Sequence, residues 1–353
     1  MNKDEIARYA RQVILPQMGL EGQKRLLAAK VLVIGCGGLG GPVLSYLAAA
    51  GVGTIGLVDF DTVSMSNLHR QITFETKDVG QAKIDIAKTK ILDLNPNTKV
   101  IGHPTKLSNE NALEILKNYD LIVDGSDNFP TRYLVNDACE ILEKPFVYGA
   151  IHQMEGQLAV FNYKGSGTYR DLYPTPPNPE TAPNCATGGV LGPVAGIIGS
   201  MQALEAIKLL VGIEKPLVNE ILAVEFQSMI FRKLKLQKNS NRPKISQLID
   251  YEDYCGTKSC RHSLAISKEE WISKNKDNIR LIDIRENYEH QEFNIGGENI
   301  PQDQLLENIR EENRTTVLYC STGLRSKAMA IKLKKTLPKT EIHFIDTNLN
   351  EFI

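Results

Sequence analysis

The feature that most constrains the fold is a glycine-rich turn between an apolar run and a helical segment. Residues 31–34 are apolar, residues 35–40 contain four glycines, and an Ala/Leu-rich stretch continues to about residue 50. Glycines let the backbone turn tightly and let a phosphate approach the free N–H groups at the start of the helix. The pattern predicts a buried strand, a phosphate-binding turn and a helix; a turn that merely allows tight helix packing is the alternative interpretation.

Apolar runs and helical segments alternate through the first two thirds of the chain. The predicted strands after the glycine turn are residues 54–58, 121–123 and 146–148 and a segment near residue 100. Residues 1–27 and 83–93 have helical patterns, residues 165–185 hold five prolines and are predicted to be a long loop, and residues 188–211 are a predicted buried helix. The alternation predicts an α/β, Rossmann-like, mostly parallel sheet with helices on both faces.

The chain has 353 residues, which is enough for about two domains. We expect a first domain over residues 1–237, a linker over 238–261 that is polar and lysine-rich at its start, and a small α/β domain over 262–353.

Composition limits the expected partners and location. The net charge of −1 gives no electrostatic reason to expect nucleic acid or an anionic membrane as a partner. No run of about 18 apolar residues indicates a membrane span, and the mixed charges of residues 1–11 are unlike a secretory signal. Six scattered cysteines are too few for a disulfide scaffold and favour a reducing cytoplasm.

Charged residues that follow the glycine turn decide which nucleotide is expected. Asp59 ends the second strand, where a carboxylate accepts hydrogen bonds from ribose hydroxyls, so the turn and Asp59 alone favour an NAD-dependent oxidoreductase. Arg70 and Lys83 instead suit the β- and γ-phosphates of a triphosphate, and Asp127 follows a strand where it would hold Mg²⁺ against them. Each cation alone is better explained as a solvated surface charge; together they favour ATP.

Several motifs in residues 1–237 resemble those of the adenylyltransferases that activate sulfur carriers for molybdopterin and thiamin synthesis, and of the catalytic half of ubiquitin-activating enzymes. The matching pieces are the glycine turn, Arg8-Tyr-Ala-Arg11-Gln12, Asp59-Phe-Asp61, Ser66-Asn-Leu-His-Arg70-Gln71, Gly80-Gln-Ala-Lys83, Ser126-Asp-Asn128 and Asn184-Cys185-Ala-Thr-Gly-Gly-Val-Leu-Gly-Pro193.

The resemblance implies a role for each of these pieces. The implied nucleotide site consists of Gly38, Asp59, Ser66, Asn67, Leu68, His69, Arg70, Lys83, Asp127 and Asn128. Arg11 is expected to reach across a homodimer into the partner's site, and Asp127 to position Mg²⁺. The terminal glycine carboxylate of a ubiquitin-like carrier ending in Gly-Gly would attack the α-phosphorus of ATP. Cys185 is either a transient covalent link to the carrier or a small residue that packs a loop.

One departure from this family concerns zinc. Members often carry two Cys-x-x-Cys pairs that hold a structural zinc, but this chain has Thr168-Tyr-Arg-Asp171 and Asn239-Ser-Asn-Arg-Pro243 at those places. We therefore predict no structural zinc, and elemental analysis that found about one tightly held zinc per chain would contradict this.

Residues 262–353 resemble a rhodanese-like domain. The matching pieces are Leu281-Ile-Asp283-Ile-Arg285, Glu289-His290, Asn299-Ile-Pro301 and Tyr319-Cys320-Ser-Thr-Gly-Leu-Arg325-Ser326. A strand delivers Cys320 into a short loop that opens a helix, where N–H groups and the helix dipole favour a thiolate or a persulfide. Arg325 is expected to add positive charge to this loop.

Two alternatives to this sulfur-transfer site stay open at the level of sequence. Cys320 is either the residue that carries sulfur as a persulfide or a buried structural cysteine. A Cys-based phosphatase would place its arginine seventh in the loop, but the seventh residue here is Ser326. The end of the chain also departs from the rhodanese-like pattern, because residues 346–353 lack the expected Gly-Gly and late tryptophan.

The sequence thus favours an ATP- and Mg²⁺-dependent enzyme that adenylylates a sulfur carrier and receives sulfur from a donor such as a cysteine desulfurase. An NAD-dependent oxidoreductase and a non-catalytic scaffold that delivers sulfur without ATP are the two alternatives. Nucleotide binding and pyrophosphate exchange discriminate between them.

Overall fold

A computed structural model describes residues 1–177, 189–256, 264–274, 276, 278–310, 314–347 and 349–352. The predicted site residue Cys185 lies outside these described residues. The chain divides into two compact units, Met1–Thr257 and Lys258–Ile353, and the division falls inside the predicted linker.

The first unit is built on one eight-stranded sheet. Its strands are β1 (Lys30–Ile34), β2 (Thr54–Val58), β3 (Lys99–His103), β4 (Leu121–Asp124), β5 (Phe146–His152), β6 (Glu155–Phe161), β7 (Glu220–Glu225) and β8 (Ile230–Lys235). Its helices are α1 (Lys3–Val13), α2 (Gly19–Ala28), α3 (Gly40–Ala50), α4 (Lys83–Leu94), α5 (Ala112–Leu116), α6 (Phe129–Ile141), α7 (Tyr169–Leu172), α8 (Gly192–Val211) and α9 (Tyr251–Tyr254).

The strand order in this sheet is β3-β2-β1-β4-β5-β6-β7-β8. Neighbours from β3 to β5 are parallel, whereas the pairs from β5 to β8 are antiparallel. The parallel half has the order of a nucleotide-binding Rossmann sheet, so the predicted α/β fold class is confirmed. The three strands that extend the sheet in antiparallel pairing, β6, β7 and β8, were not predicted.

Glycine is required in this turn because the backbone packs too closely there to leave room for a side chain. A Cβ placed on Gly40 would lie 1.9 Å from the carbonyl oxygen of Gly35, and Gly35 itself has a φ of +85°. No residue with a side chain fits Gly40 without moving the turn, so the first residue of α3 packs directly on the backbone that follows β1.

Helix α8 packs in the core of the first unit. The sequence was expected to hold no apolar run long enough to span a membrane, but by length and composition this helix could do so. About half of it is buried against the protein. Val194, Ala195, Ile198, Ala203 and Ala206 are almost fully buried. Its hydrophobicity therefore serves the core, as expected for the central helix of a folded domain.

The second unit contains a five-stranded parallel sheet with the order β11-β10-β12-β13-β9. Its strands are β9 (Ala265–Ile266), β10 (Ile279–Asp283), β11 (Glu298–Asn299), β12 (Thr315–Tyr319) and β13 (Ile342–Ile345). Its helices are α10 (Lys268–Ser273), α11 (Asn287–Glu292), α12 (Leu305–Asn308) and α13 (Leu324–Thr336). The predicted second, smaller α/β domain is thereby confirmed.

Candidate functional site

The largest set of predicted site residues meets in one cavity of about 400 Å³ in the first unit. The predicted residues that line it are Gly38, Asp59, Arg70, Lys83, Asp127 and Asn128. The cavity lies at the carboxyl ends of β1 to β4, where strand order reverses between β2 and β4 on either side of β1. Ligands of open α/β sheets bind at such a switch point.

Neighbouring strands of the sheet place the residues of the cavity wall in the order in which a nucleotide presents its base, ribose and phosphates. Thr105–Leu107 follow β3, Asp59 follows β2, the glycine turn follows β1, and Asp127 follows β4. A nucleotide whose phosphates lie on the glycine turn would therefore place its ribose near Asp59 and its base towards residues 105–107.

Asp59 is fixed by backbone N–H groups. Its Oδ2 accepts a hydrogen bond of 2.8 Å from Cys36 N, and its Oδ1 accepts one of 2.9 Å from Asp61 N. Burial raises the pKa of Asp59, and these two hydrogen bonds act in the opposite direction. The carboxylate is thus held rigidly at the cavity wall, with lone pairs left to accept from ribose hydroxyls.

Lys83 has a partner that the sequence analysis did not identify. Its buried Nζ lies 2.8 Å from Oδ2 of the half-exposed Asp61, and its backbone N–H donates to the Asp61 carbonyl at 3.0 Å. Asp61 therefore holds the ammonium at the cavity wall before any phosphate arrives. Its place in Asp59-Phe-Asp61 was the only sequence signal for this role.

Arg70 is positioned by a turn that precedes it. Its Nη1 donates to the Ser66 carbonyl at 3.0 Å and lies 2.8 Å from His69 Nε2. Asn67 supports the same turn, because its carbonyl accepts from the N–H groups of Arg70 and Gln71. Ser66, Asn67, Leu68 and His69 are not among the residues that line the cavity, although the sequence analysis expected them at the nucleotide.

Arg11 also lies away from the cavity of its own chain. It is exposed near the end of α1 and does not line the cavity. Its predicted role in the site of a partner chain stays a prediction.

Asp127 and Asn128 lie at the cavity mouth. Both are exposed, and the Asn128 side chain caps α6 by accepting a 2.9 Å hydrogen bond from Thr131 N. Across the described part of the chain, no group of three or more His, Cys, Asp or Glu residues is arranged to hold a metal. A single carboxylate still fits Mg²⁺ at a nucleotide, because phosphates and water supply most of its ligands.

Arg132 is a cavity cation that the sequence analysis missed. Its Nη2 donates to the Ser126 carbonyl at 3.3 Å, and its guanidinium lies 5.6 Å from the ring centroid of Phe129 and 5.7 Å from that of Tyr148. The side chain is only 8% exposed, so its charge faces a largely desolvated wall. Its spacing of four residues after Asn128 was not recognised as a signal.

Cys320 forms the centre of the second candidate site, in the second unit. It directly follows β12 and is 2% exposed, and its Sγ lies 3.5 Å from both the backbone N and the Oγ of Ser326. Gly323, with a φ of +79°, turns the chain into α13. The Ser326 hydroxyl also lies 3.0 Å from the Gly323 carbonyl oxygen, so the Ser326 N–H is the donor that is committed to the sulfur. A backbone N–H at the start of a helix is suited to stabilising a sulfur anion.

Arg325 interacts with both Glu289 and Cys320, and both interactions raise its pKa, so its positive charge lies at this loop. Its two terminal nitrogens lie 3.0 and 2.7 Å from the two carboxylate oxygens of Glu289, and one of them donates to Ser321 Oγ at 3.2 Å. Burial raises the pKa of Glu289, but these bonds outweigh it and hold that pKa below its ordinary value. The guanidinium thus fastens the loop to α11 while it also interacts with Cys320.

The two segments that replace the cysteine pairs of related enzymes contact each other through polar groups. Arg242 Nη2 lies 2.8 Å from Glu140 Oε2 and donates to Thr168 Oγ1 at 3.2 Å. Asn239 N donates to Asp171 Oδ1 at 3.2 Å. Hydrogen bonds and ion pairs therefore join these two segments, and the absence of zinc stays a prediction.

Each of the two units matches a known protein family. The ThiF family matches residues 9–244, and the rhodanese-like domain matches residues 268–353. A probable adenylyltransferase/sulfurtransferase, MoeZ, of Mycobacterium tuberculosis is 42% identical over 360 residues, covering 97% of this chain and 92% of that protein. A sulfur carrier protein adenylyltransferase of Thermus thermophilus is 50% identical over 265 residues, covering 72% of this chain and 98% of that protein.

A solved structure supports the fold of the first unit. The crystal structure of E. coli MccB with MccA-N7isoASN superposes with a TM-score of 0.61 at 21% identity, covering 69% of this chain and 75% of that one. Likeness at this identity concerns the fold alone. The family match and the long, closely related chains together show that this chain belongs to the ThiF family, with a rhodanese-like domain behind its ThiF domain.

Proposed function

We propose that this chain adenylylates the C-terminal glycine of a ubiquitin-like sulfur carrier with ATP and then transfers sulfur to it. The observation that carries the proposal is a cavity that presents Asp59, the glycine turn, Arg70, Lys83 and Asp127 at the places where a nucleoside triphosphate would need them. A loop built around Cys320 follows in the same chain. Relatives named adenylyltransferase and sulfurtransferase cover nearly all of the chain, and they do not favour an oxidoreductase or a scaffold.

In the first step, a carrier carboxylate oxygen attacks the α-phosphorus of ATP. The bond from that phosphorus to the α–β bridging oxygen breaks, and pyrophosphate leaves. The chain needs to position the reactants and to neutralise charge on the leaving group. Arg70 and Lys83 supply cations, Lys83 by exchanging Asp61 for a phosphate. Asp127 would hold Mg²⁺, which would supply further positive charge to the leaving group.

In the second step, a persulfide on Cys320 attacks the carbonyl carbon of the acyl-adenylate, and AMP leaves. A first external thiol then attacks the Cys320 sulfur of the resulting acyl disulfide, which releases the carrier thiocarboxylate and leaves a mixed disulfide on Cys320. A second thiol attacks that mixed disulfide, returns Cys320 as a thiol and leaves as the oxidised disulfide of the two thiols. We propose Cys185 as a residue that links transiently to the carrier during this transfer. A cytoplasmic cysteine desulfurase is the proposed sulfur donor, and molybdopterin or thiamin synthesis is the proposed use of the product.

Pyrophosphate exchange tests the first step directly. Small proteins ending in Gly-Gly, incubated singly with the chain, Mg²⁺, ATP and labelled pyrophosphate, should give labelled ATP with the matching carrier. A carrier that lacks its last glycine is the control. If no such carrier supports exchange, while the chain binds a nicotinamide cofactor, the proposed function is wrong.

We further propose that the chain works as a homodimer through an apolar face on α3 and α8. Tyr46, Ile72 and Leu204 are 56%, 76% and 56% exposed, and with Ile197 they line a groove of about 700 Å³ in the first unit. A twofold dimer buries the same face of both chains, which suits a self-complementary patch. In such a dimer Arg11, which is remote from the cavity of its own chain, could reach the cavity of the partner chain.

Mixing two inactive variants tests the dimer and Arg11 together. Arg11→Ala and Lys83→Ala should each lower exchange strongly as homodimers. After subunits are mixed in equal amounts, half of the dimers are mixed and each has one intact site, so about a quarter of wild-type activity should return. Activity of the mixture that stays at the sum of the separate variants would contradict the sharing of Arg11 between chains.

A further inference from the structure

The segment after β8 packs onto the ThiF unit instead of leading away from it. Helix α9 is anchored by Tyr251, which is 4% exposed and whose OH donates to Asp137 Oδ2 at 2.7 Å. One turn later, Arg170 Nη1 donates to Tyr254 OH at 2.7 Å. Cys255, 3% exposed, packs in the same core.

The receiving surface for α9 is a buried ion pair. Arg170 Nε and Nη2 lie 2.7 Å from the two carboxylate oxygens of Asp137, which is 1% exposed. The guanidinium also lies 4.8 Å from the ring centroid of Tyr254. Bidentate geometry at a buried site fixes direction as well as distance, so residues 251–254 have a defined position.

Glu252 lies between these two anchors and lines the nucleotide cavity. Its Oε1 is 2.8 Å from Nζ of Lys106, which lines the same cavity just after β3. An exposed ion pair between free side chains would contribute little to stability. Here the anchors hold one partner in place, and both side chains keep enough exposure, 39% and 60%, for a ligand to reach them.

The position of this pair assigns it to one end of the nucleotide. Asp59 and the glycine turn mark the ribose and the phosphates, and β3 lies beyond β2 on the side away from the phosphates. Glu252 and Lys106 therefore face the base. A carboxylate accepts hydrogen bonds from the exocyclic amine of adenine, whereas it repels the carbonyl oxygen that guanine carries at that place.

We propose that Glu252, carried by the segment that leads into the rhodanese-like unit, is a specificity-determining residue of the nucleotide site that positions the adenine base. The inference rests on the proposed function, because it assumes that ATP occupies this cavity. The ATP site is then completed by α9, which follows the last strand of the first sheet. The segment that connects the ThiF unit to the rhodanese-like unit therefore forms part of the adenylylation site.

The test compares Glu252→Ala with Asp253→Ala, which removes the same charge from the exposed neighbour of Glu252 in the same helix. In the full chain, with carrier at saturation, Glu252→Ala should raise the KM for ATP about tenfold and leave kcat within about twofold. The ratio of exchange with ATP to exchange with GTP should fall by a similar factor. Asp253→Ala should behave as wild type in both.

Two further measurements keep the outcome decisive. Glu252→Gln keeps the acceptor oxygen and the side-chain size, so it should raise the KM by less than the alanine variant, and it replaces that variant if alanine lowers the melting temperature. Direct binding of ATP, without carrier, separates the two levels of inference. If wild type binds ATP and Glu252→Ala binds it equally well with unchanged preference over GTP, the role of Glu252 is wrong; if wild type does not bind ATP, the proposed function itself fails.

Discussion

Replacing Asp127 with alanine should abolish Mg²⁺-dependent ATP–pyrophosphate exchange, lowering its rate by about 100- to 1,000-fold. The residue is exposed at the mouth of the cavity, after the strand next to the glycine turn. Removing one group that stabilises transition-state charge typically costs this much. Asp59, Arg70 and Lys83 remain in place, so ATP binding measured without metal should change little.

Asp85→Ala is the matched control for this variant. Asp85 is an equally exposed aspartate on α4, and it does not line the cavity. Its loss should leave exchange within about twofold of wild type, as for most surface substitutions. Exchange at the wild-type rate in Asp127→Ala would show that the metal, if one is used, is held elsewhere.

Local patterns made much of this fold predictable. The glycine turn predicted β1 and α3 because a strand, a tight turn and a helix in succession each leave a signal within a few residues. The predicted helix over residues 1–27 was only partly correct, since the structure has α1 and α2 with a break between them. Pro16 and Gly19, which has a φ of +57°, interrupt the helical geometry there.

The ion pairs of both sites were not predictable from the same patterns. Lys83 pairs with a residue 22 positions away, and Arg325 with a residue 36 positions away. Such partners meet only when the sheet order is known, and neither charge pattern repeats at helical or strand spacing. From sequence alone, Lys83 and Arg325 therefore look available for a ligand. In the fold, Asp61 pairs with Lys83 and Glu289 pairs with Arg325.

The contribution of α9 escaped prediction for a related reason. Residues 238–261 are polar with few apolar positions, a composition typical of linkers. Tyr251 and Tyr254 anchor the segment through hydroxyl groups to the Asp137–Arg170 pair, which lies far away in sequence. Among the described residues of the segment, only Tyr251 and Cys255 are fully buried in the apolar core, and so short an apolar pattern is not distinctive in a sequence.

Replacing Cys320 with alanine should separate the two activities of the chain. Pyrophosphate exchange should stay at the wild-type rate, because the nucleotide cavity lies wholly within the first unit. Formation of carrier thiocarboxylate with a cysteine desulfurase as donor should fall on the order of 100-fold or more, since the atom that accepts sulfur is gone. Mass spectrometry should find one added sulfur atom on wild type and none on the variant.

Two other cysteines make the comparison specific. Cys139 is fully buried in the core of the first unit, where burial raises the pKa of its thiol well above the ordinary value. It should remain an unreactive thiol, so Cys139→Ala should leave both activities near wild type. Cys185→Ala should spare exchange and lower the yield of thiocarboxylate, if that residue links transiently to the carrier.

The results for these variants together identify which cysteine of the chain passes sulfur to the carrier protein. If only Cys320→Ala prevents persulfide formation and Cys185→Ala acts after it, sulfur passes from the loop that Ser326 and the Glu289–Arg325 pair hold in place. Thiocarboxylate formed by Cys320→Ala at the wild-type rate with a physiological donor would mean that sulfur bypasses the rhodanese-like unit. The chain would then be an activating enzyme alone, and the geometry around Cys320 would have to serve a different acceptor.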